Sequence, residues 1–167
     1  MDEIILQSAR IAITDPIPHF LAPLLNCPAQ EIKIQRTERG KPYLSDHSLE
    51  FNLSHSGELL LFVSAPARKV GVDIESTQMR PRWKDLARRF FAPDEVDKAT
   101  SYENFFEIWT CKEATLKMLG TGIAGTLSEF SVLSPLCRLE RISKFPGYVG
   151  AIAAEGFEPF KIVKINS

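Results

Sequence analysis

Val70-Gly71-Val72-Asp73-Ile74-Glu75 alternates β-branched residues with small or acidic ones. That alternation predicts a strand, with Asp73 and Glu75 on one face about 7 Å apart. Further on, Trp109-Thr110-Cys111-Lys112-Glu113-Ala114-Thr115-Leu116-Lys117 falls inside the longest helical pattern, from Glu103 to Leu119. On a helix Glu113 and Lys117 stand at i and i+4 on one face. A helix packed across the strand end would bring three carboxylates together, and hard oxygen ligands of that kind suit Mg²⁺ with substrate phosphates. Taken alone, the Glu113 and Lys117 pair reads first as an exposed ion pair worth about 0.3–0.5 kcal/mol. Asp73 and Glu75 alone read as polar residues of an edge strand.

Upstream, Ile11 to Leu25 has helical spacing, but Pro16, Pro18 and Pro23 are expected to limit it to short pieces. Glu31 to Gln35 alternates as a strand, Arg39-Gly40-Lys41-Pro42 is a turn, and Phe51 to Ser56 with Leu59 to Ala65 forms a hairpin. Pro66-Ala67-Arg68-Lys69 is a short polar joint, dividing the chain into 1–67 and 68–167. Downstream, Arg82 to Phe91 carries one apolar helical stripe, and Pro93-Asp94-Glu95 reads as a first helical turn with Ala92 a poor cap. Lys112 is expected to face away from the metal, open to phosphate or solvent, and is assigned no role. Phe130 to Leu133, Arg138 to Ile142, Tyr148 to Ala154 and Phe160 to Ile165 are predicted strands. The whole reads as α+β with mainly antiparallel sheets.

The chain has 167 residues, 44% apolar and 25% charged, with a net charge of −1. This is a globular composition and excludes a globally basic nucleic-acid binder. No apolar run approaches the roughly 20 residues of a membrane span, and the acidic Met1-Asp2-Glu3 start lacks a signal-peptide layout. Cys27, Cys111 and Cys137 have no ligand spacing and are expected as reduced thiols in a cytoplasmic protein. Basic residues gather at Arg36, Arg39 and Lys41, and again at Arg80, Arg82, Lys84, Arg88 and Arg89. Gly120-Thr121-Gly122-Ile123-Ala124-Gly125 matches a dinucleotide fingerprint in letters only, because a helix precedes it rather than a strand. Gly120 is better read as a helix C-terminal glycine. His55, between Ser54 and Ser56, is either an anion contact or a histidine bonded to backbone.

Four segments together resemble the 4′-phosphopantetheinyl transferases, of the two-lobed, surfactin-synthetase-activating type. They are Gly40-Lys41-Pro42, Phe51-Asn52-Leu53-Ser54-His55-Ser56-Gly57, Val70 to Glu75, and Trp109 to Lys117, with Arg89-Phe90-Phe91 and Glu95 between the last two. The resemblance covers roughly Ile32 to Val132 and implies two similar lobes related by a pseudo-twofold, each a small sheet packed with helix, with the active site between them. It further implies Mg²⁺-dependent (or Mn²⁺-dependent) transfer of phosphopantetheine from coenzyme A to a serine of an acyl or peptidyl carrier protein, releasing adenosine 3′,5′-bisphosphate. Asp73, Glu75 and Glu113 would then hold the metal and Glu113 would take the serine proton. Lys117 would steady the phosphate charge, and Lys41, Ser54, His55 and Arg10 would meet the nucleotide end. Members of this type are longer, so the first lobe reads as shortened. Both halves of the site lie in one chain, which implies a monomer.

Family carriers are acidic, which makes Arg82, Arg88, Arg89 and Phe90 the expected docking face. Competing readings are a degenerate relative that binds coenzyme A or a carrier without transfer, and a different metal-dependent phosphate enzyme using the same carboxylates. No nucleic-acid or membrane partner is expected.

Overall fold

The computed structural model describes residues 2–10, 15–78, 81–122 and 127–166. The first unit is β1 (Asp2–Arg10), α1 (Pro16–Leu25), the short β2 (Ile34–Arg36) and β3 (Pro42–Leu44), and the hairpin β4 (Glu50–Ser56) and β5 (Leu59–Ala65). The second is β6 (Val70–Ser76), α2 (Trp83–Phe90), α3 (Pro93–Val96), α4 (Tyr102–Leu119), and the hairpin β7 (Arg138–Ile142) and β8 (Tyr148–Ala154), followed by β9 (Phe160–Asn166). The same wiring occurs twice. In the first unit β1 pairs antiparallel with β5, the second strand of its hairpin, and in the second unit β6 pairs antiparallel with β8. The sheet orders are β4-β5-β1-β9 and β6-β8-β7.

The α+β expectation with mainly antiparallel sheets holds, with one difference. β9 does not extend the sheet of β6 and β8 but pairs parallel with β1, from Asp2–Phe160 to Ser8–Asn166. The closing segment of 68–167 thus completes the sheet of 1–67.

Strand alternation builds the layers. Val70, Val72 and Ile74 of β6 and Ile152 of β8 meet Ile4, Leu6, Leu61 and Val63 in a core between the two sheets. On the far side of the first sheet, Ile17, Phe20 and Leu21 of α1 pack on Phe51, Leu60 and Phe62. On the far side of the second, Ala114 and Met118 of α4 pack with Ala151 and Ala153. The order is therefore helix, sheet, sheet, helix, with β4 beside β6 at one margin.

Four local expectations are corrected. α1 is one ten-residue helix despite its prolines: Pro16 and Pro18 sit in the first turn, where no backbone N–H is needed, and buried Ile17, Phe20 and Leu21 hold the helix past Pro23. The part of that stretch at 11–14 lies outside the described residues. Strand β2 starts at Ile34, Glu31 having joined a 3-10 turn. Phe130 to Leu133 is not a strand, because its backbone is bonded elsewhere: Val132 N–H donates to Glu95 Oε1 (2.6 Å) and the Phe130 carbonyl accepts from Lys112 Nζ. Lys112 meets neither phosphate nor solvent; it is fully buried and paired with Glu95 at 2.6 Å. The joint at 66–69 is also less open than its composition suggests. Arg68 is buried, its guanidinium donating to the carbonyls of Glu155 (2.7 Å) and Glu158 (2.9 Å). No described helix is long and apolar enough to cross a membrane.

At Gly71 the backbones of β6 and α4 approach closely. A Cβ there would lie 2.1 Å from the Ala114 carbonyl oxygen and 2.4 Å from the Met118 nitrogen, both backbone atoms. Gly71→Ala must therefore push the helix off the sheet, with a loss at or above the upper end of the roughly 1–3 kcal/mol usual for overpacking. Denaturant unfolding measures it; a midpoint equal to the parent protein's would refute the close approach.

Candidate active site

Gly71, Asp73 and Glu75 share the face of β6 that looks toward α4, opposite the apolar face of Val72 and Ile74. The helix is fixed at both ends. Ser101 Oγ accepts from the Asn104 N–H, and Gly120 closes the other end with φ +72, its N–H donating to the Leu116 carbonyl, as the expected C-terminal glycine should. The rest of the 120–125 segment, from Ile123 on, lies outside the described residues. With α4 seated on Gly71, Lys117, the neighbour of Met118, comes to Asp73 at the middle of the strand, and Glu113 lies one turn back along the helix.

Lys117 does not pair with Glu113 along the helix. It reaches across to β6, its Nζ donating to Asp73 Oδ1 at 2.7 Å and to Ser54 Oγ at 3.0 Å, while Ser54 Oγ also lies 3.0 Å from Asp73 Oδ1. Asp73 Oδ2 and Glu113 Oε1 are buried with no hydrogen-bond partner. Glu75 Oε2 accepts from Ser56 Oγ at 3.0 Å. Burial raises the Asp73 carboxyl against the pull of Lys117, and burial together with the Asp73 charge raises Glu75. Glu113 is pushed up to about 7, first by burial and then by Asp73 and Glu75, with Lys117 opposing. Among the described residues, however, no three His, Cys, Asp or Glu are grouped as a ready cation cage. The oxygens on offer are hard carboxylate donors, and two of them lack partners, so their chemistry fits a hard divalent ion.

A cavity of about 310 Å³ opens beside these groups, lined by Arg39, Gly40, Lys41, Asn52, Glu113 and Lys117 among others. Its far wall is the turn between β2 and β3, where Gly40 has φ +83 and its N–H donates to the Thr37 carbonyl at 2.8 Å. That turn is docked on the C-terminal end of α4. Lys41 Nζ donates to the Met118 carbonyl at 3.0 Å, and Arg39 donates to the Thr121 carbonyl. Cations there complement the helix dipole, and burial lowers the Lys41 ammonium.

The other expected residues are more dispersed. Ser54 is with Asp73 and Lys117 rather than beside Lys41. His55 is exposed on the opposite face of β4 from Ser54. Arg10, at the end of β1, is exposed and 3.9 Å from Glu58. Arg82, just before α2, and Arg88 on it both approach Asp85 (3.9 and 3.6 Å), and Arg89 lies over the Phe90 ring at 5.0 Å; Arg80 is outside the described residues. The sequence offers Ser56 only as a donor to an anion, together with Ser54 and His55, and gives Asn52 no role; the structure turns both toward β6.

Two family models match the chain. Residues 69–146 match the model of the 4′-phosphopantetheinyl transferase superfamily, and residues 17–67 match that of a 4′-phosphopantetheinyl transferase N-terminal region. The 4′-phosphopantetheinyl transferase HetI of Nostoc is 34% identical over 76% of this chain and 62% of its own length. A 4′-phosphopantetheinyl transferase of Bacillus subtilis is 35% identical over 73% of this chain and 52% of its own. The L-aminoadipate-semialdehyde dehydrogenase-phosphopantetheinyl transferase of Mus musculus is 32% identical over 72% and 45%. The chain thus spans about half the length of the relatives it matches. On these matches, over both units, the chain belongs to the 4′-phosphopantetheinyl transferase superfamily.

Proposed function

We propose that the protein transfers the 4′-phosphopantetheine group of coenzyme A to a serine of an acyl or peptidyl carrier protein. The observation that carries this reading is the convergence of Asp73, Glu75, Glu113 and Lys117, of which Glu113 and Lys117 line a cavity whose other side is the Lys41 turn. Pyrophosphate chemistry at the carboxylates and nucleotide binding near Lys41 then share one space.

In the proposed reaction the carrier serine oxygen attacks the phosphorus on the pantetheine side of the coenzyme A pyrophosphate. A new P–O bond forms, the bond to the adenosine moiety's 5′-phosphate oxygen breaks, and adenosine 3′,5′-bisphosphate leaves. Glu113 takes the serine proton on Oε1, the buried oxygen without a partner. Without metal that carboxyl is pushed up to about 7, chiefly by burial, and a carboxylate so placed is a fit acceptor for a serine proton. Lys117 holds Asp73 and Ser54 in place and offers its ammonium to phosphate charge, and Lys41 meets the nucleotide's phosphate. Mg²⁺ held by Asp73, Glu75 and Glu113 with substrate oxygens would supply charge neutralisation at the pyrophosphate. His55 and Arg10 are assigned to the outer edge of the nucleotide site. All these groups belong to one chain, so the proposed enzyme is a monomer, and its free cysteines suit the reducing cytoplasm.

Mass spectrometry of apo carrier proteins incubated with the protein, coenzyme A and Mg²⁺ tests the reading. A serine-linked phosphopantetheine on at least one carrier class is expected, and no gain on any carrier that another transferase loads would refute it. Tight coenzyme A binding by calorimetry without any product would indicate a binding relative instead.

The exposed face of α2 is proposed to receive the acidic carrier. Arg82→Glu with Arg88→Glu is expected to raise the carrier KM several-fold with little change in kcat, an effect that shrinks as salt rises. Loading rates against carrier concentration decide this, and a KM indifferent to both changes would remove α2 from the docking face.

A further inference from the structure

We propose that Ser56 is a positioning residue for Glu75, the outer carboxylate of the site; this rests on the phosphopantetheinyl-transfer reading. Asn52, Ser54 and Ser56 occupy alternate positions of β4, so they share one face. All three are buried, and each bonds to β6. Asn52 Oδ1 accepts from the Val72 N–H at 3.0 Å, Ser54 Oγ donates to Asp73 Oδ1, and Ser56 Oγ accepts from the Ser76 N–H at 2.9 Å while donating to Glu75 Oε2 at 3.0 Å. β4 and β6 belong to different sheets and are joined here by side chains where a backbone ladder would otherwise stand. This seam sets how far β6 slides along β4, and so where its carboxylates fall relative to α4.

At Ser56 the bonding is directional. A hydroxyl has a single proton, and a backbone N–H can only donate, so Ser76 must take a lone pair. The Ser56 proton is left for Glu75, whose carboxylate is tied at one oxygen and restricted in rotation. Ser56 is 6% exposed, so water competes poorly for that proton. Outer-sphere hydrogen bonds of this kind orient metal-binding carboxylates, and their loss typically weakens metal affinity by about 10–100-fold.

The test uses the full chain with coenzyme A and reads Mn²⁺ binding by electron paramagnetic resonance, alongside carrier loading. Ser56→Ala is expected to weaken Mn²⁺ binding about 10-fold or more, with loading largely recovered at saturating metal, and Ser56→Thr is expected to restore the affinity. In a Glu75→Gln background, Ser56→Ala should add less than about 2-fold, because the partner it positions is already altered. Equal effects in both backgrounds, or an unchanged Mn²⁺ affinity in folded Ser56→Ala, would overturn the proposal. If Ser56→Ala does not fold, Ser56→Cys, of similar size but a weaker donor, takes its place in the same comparison. Wild-type protein that binds Mn²⁺ in a Ser56-dependent way yet loads no carrier would refute the transferase reading alone, and wild-type protein that binds no Mn²⁺ would overturn the Ser56 assignment.

Discussion

Glu113→Gln is expected to slow carrier loading by roughly 10²–10⁴-fold, the span associated with loss of a general base, while leaving the fold intact. The two effects have one origin. Glu113 is buried, near two other carboxylates, and its Oε1 has no partner, so the charged form is held at a cost to folding. Its folded value of about 7 lies above the ordinary 4.5. A raised carboxyl contributes stability that is complete below its unfolded value and is lost as pH rises through its folded one. The metal-free protein should therefore melt at a lower temperature at about pH 8 than at about pH 5 through this group, and Glu113→Gln should flatten that slope. Calorimetric melting across this range, with loading assays on the same samples, checks both halves. A fully active Gln variant would remove Glu113 from proton transfer, and an unaltered pH slope would mean the charge is relieved in a way the burial does not indicate.

The second large effect is on stability. Glu95→Ala is expected to cost about 3–5 kcal/mol, because it leaves the Lys112 ammonium buried without its counter-charge. Both side chains are 0% exposed and 2.6 Å apart. The Glu95 carboxylate also accepts the N–H groups of Ala92 (2.8 Å) and Val132 (2.6 Å), tying the start of α3 and the 130–133 segment to α4. An apolar double replacement, Glu95→Leu with Lys112→Met, removes the stranded charge but still orphans those two donors. It should therefore recover part of the loss and not all of it. Urea unfolding of the three variants gives the ordering. A Glu95→Ala variant within about 1 kcal/mol of the parent would show that Lys112 finds water or another acceptor.

The strand of Val70 to Glu75 and the helix carrying Glu113 were legible because each is a local periodicity, and their chemistry lies on one face of each. That Lys117 would leave Glu113 for Asp73 was not legible, since the choice depends on how α4 seats on Gly71. The prolines of α1 hid a continuous helix because the energy holding it comes from Phe51, Leu60 and Phe62, far along the chain. Phe130 to Leu133 looked like a strand for the opposite reason: its apolar pattern is real, but Glu95 and Lys112 take its backbone groups first. Ser56 was in view as a donor to an anion, and only the placement of β6 directed its hydroxyl to Glu75.

β1 lies between β5 on one side and β9 on the other. During synthesis it can pair with β5 early, yet its second edge stays bare until residues 160–166 leave the ribosome. An unpaired strand edge is a template for intermolecular pairing, and closing so long a loop is slow. The first unit is thus finished after the second has been made, and the nascent chain is most exposed to self-association in that interval.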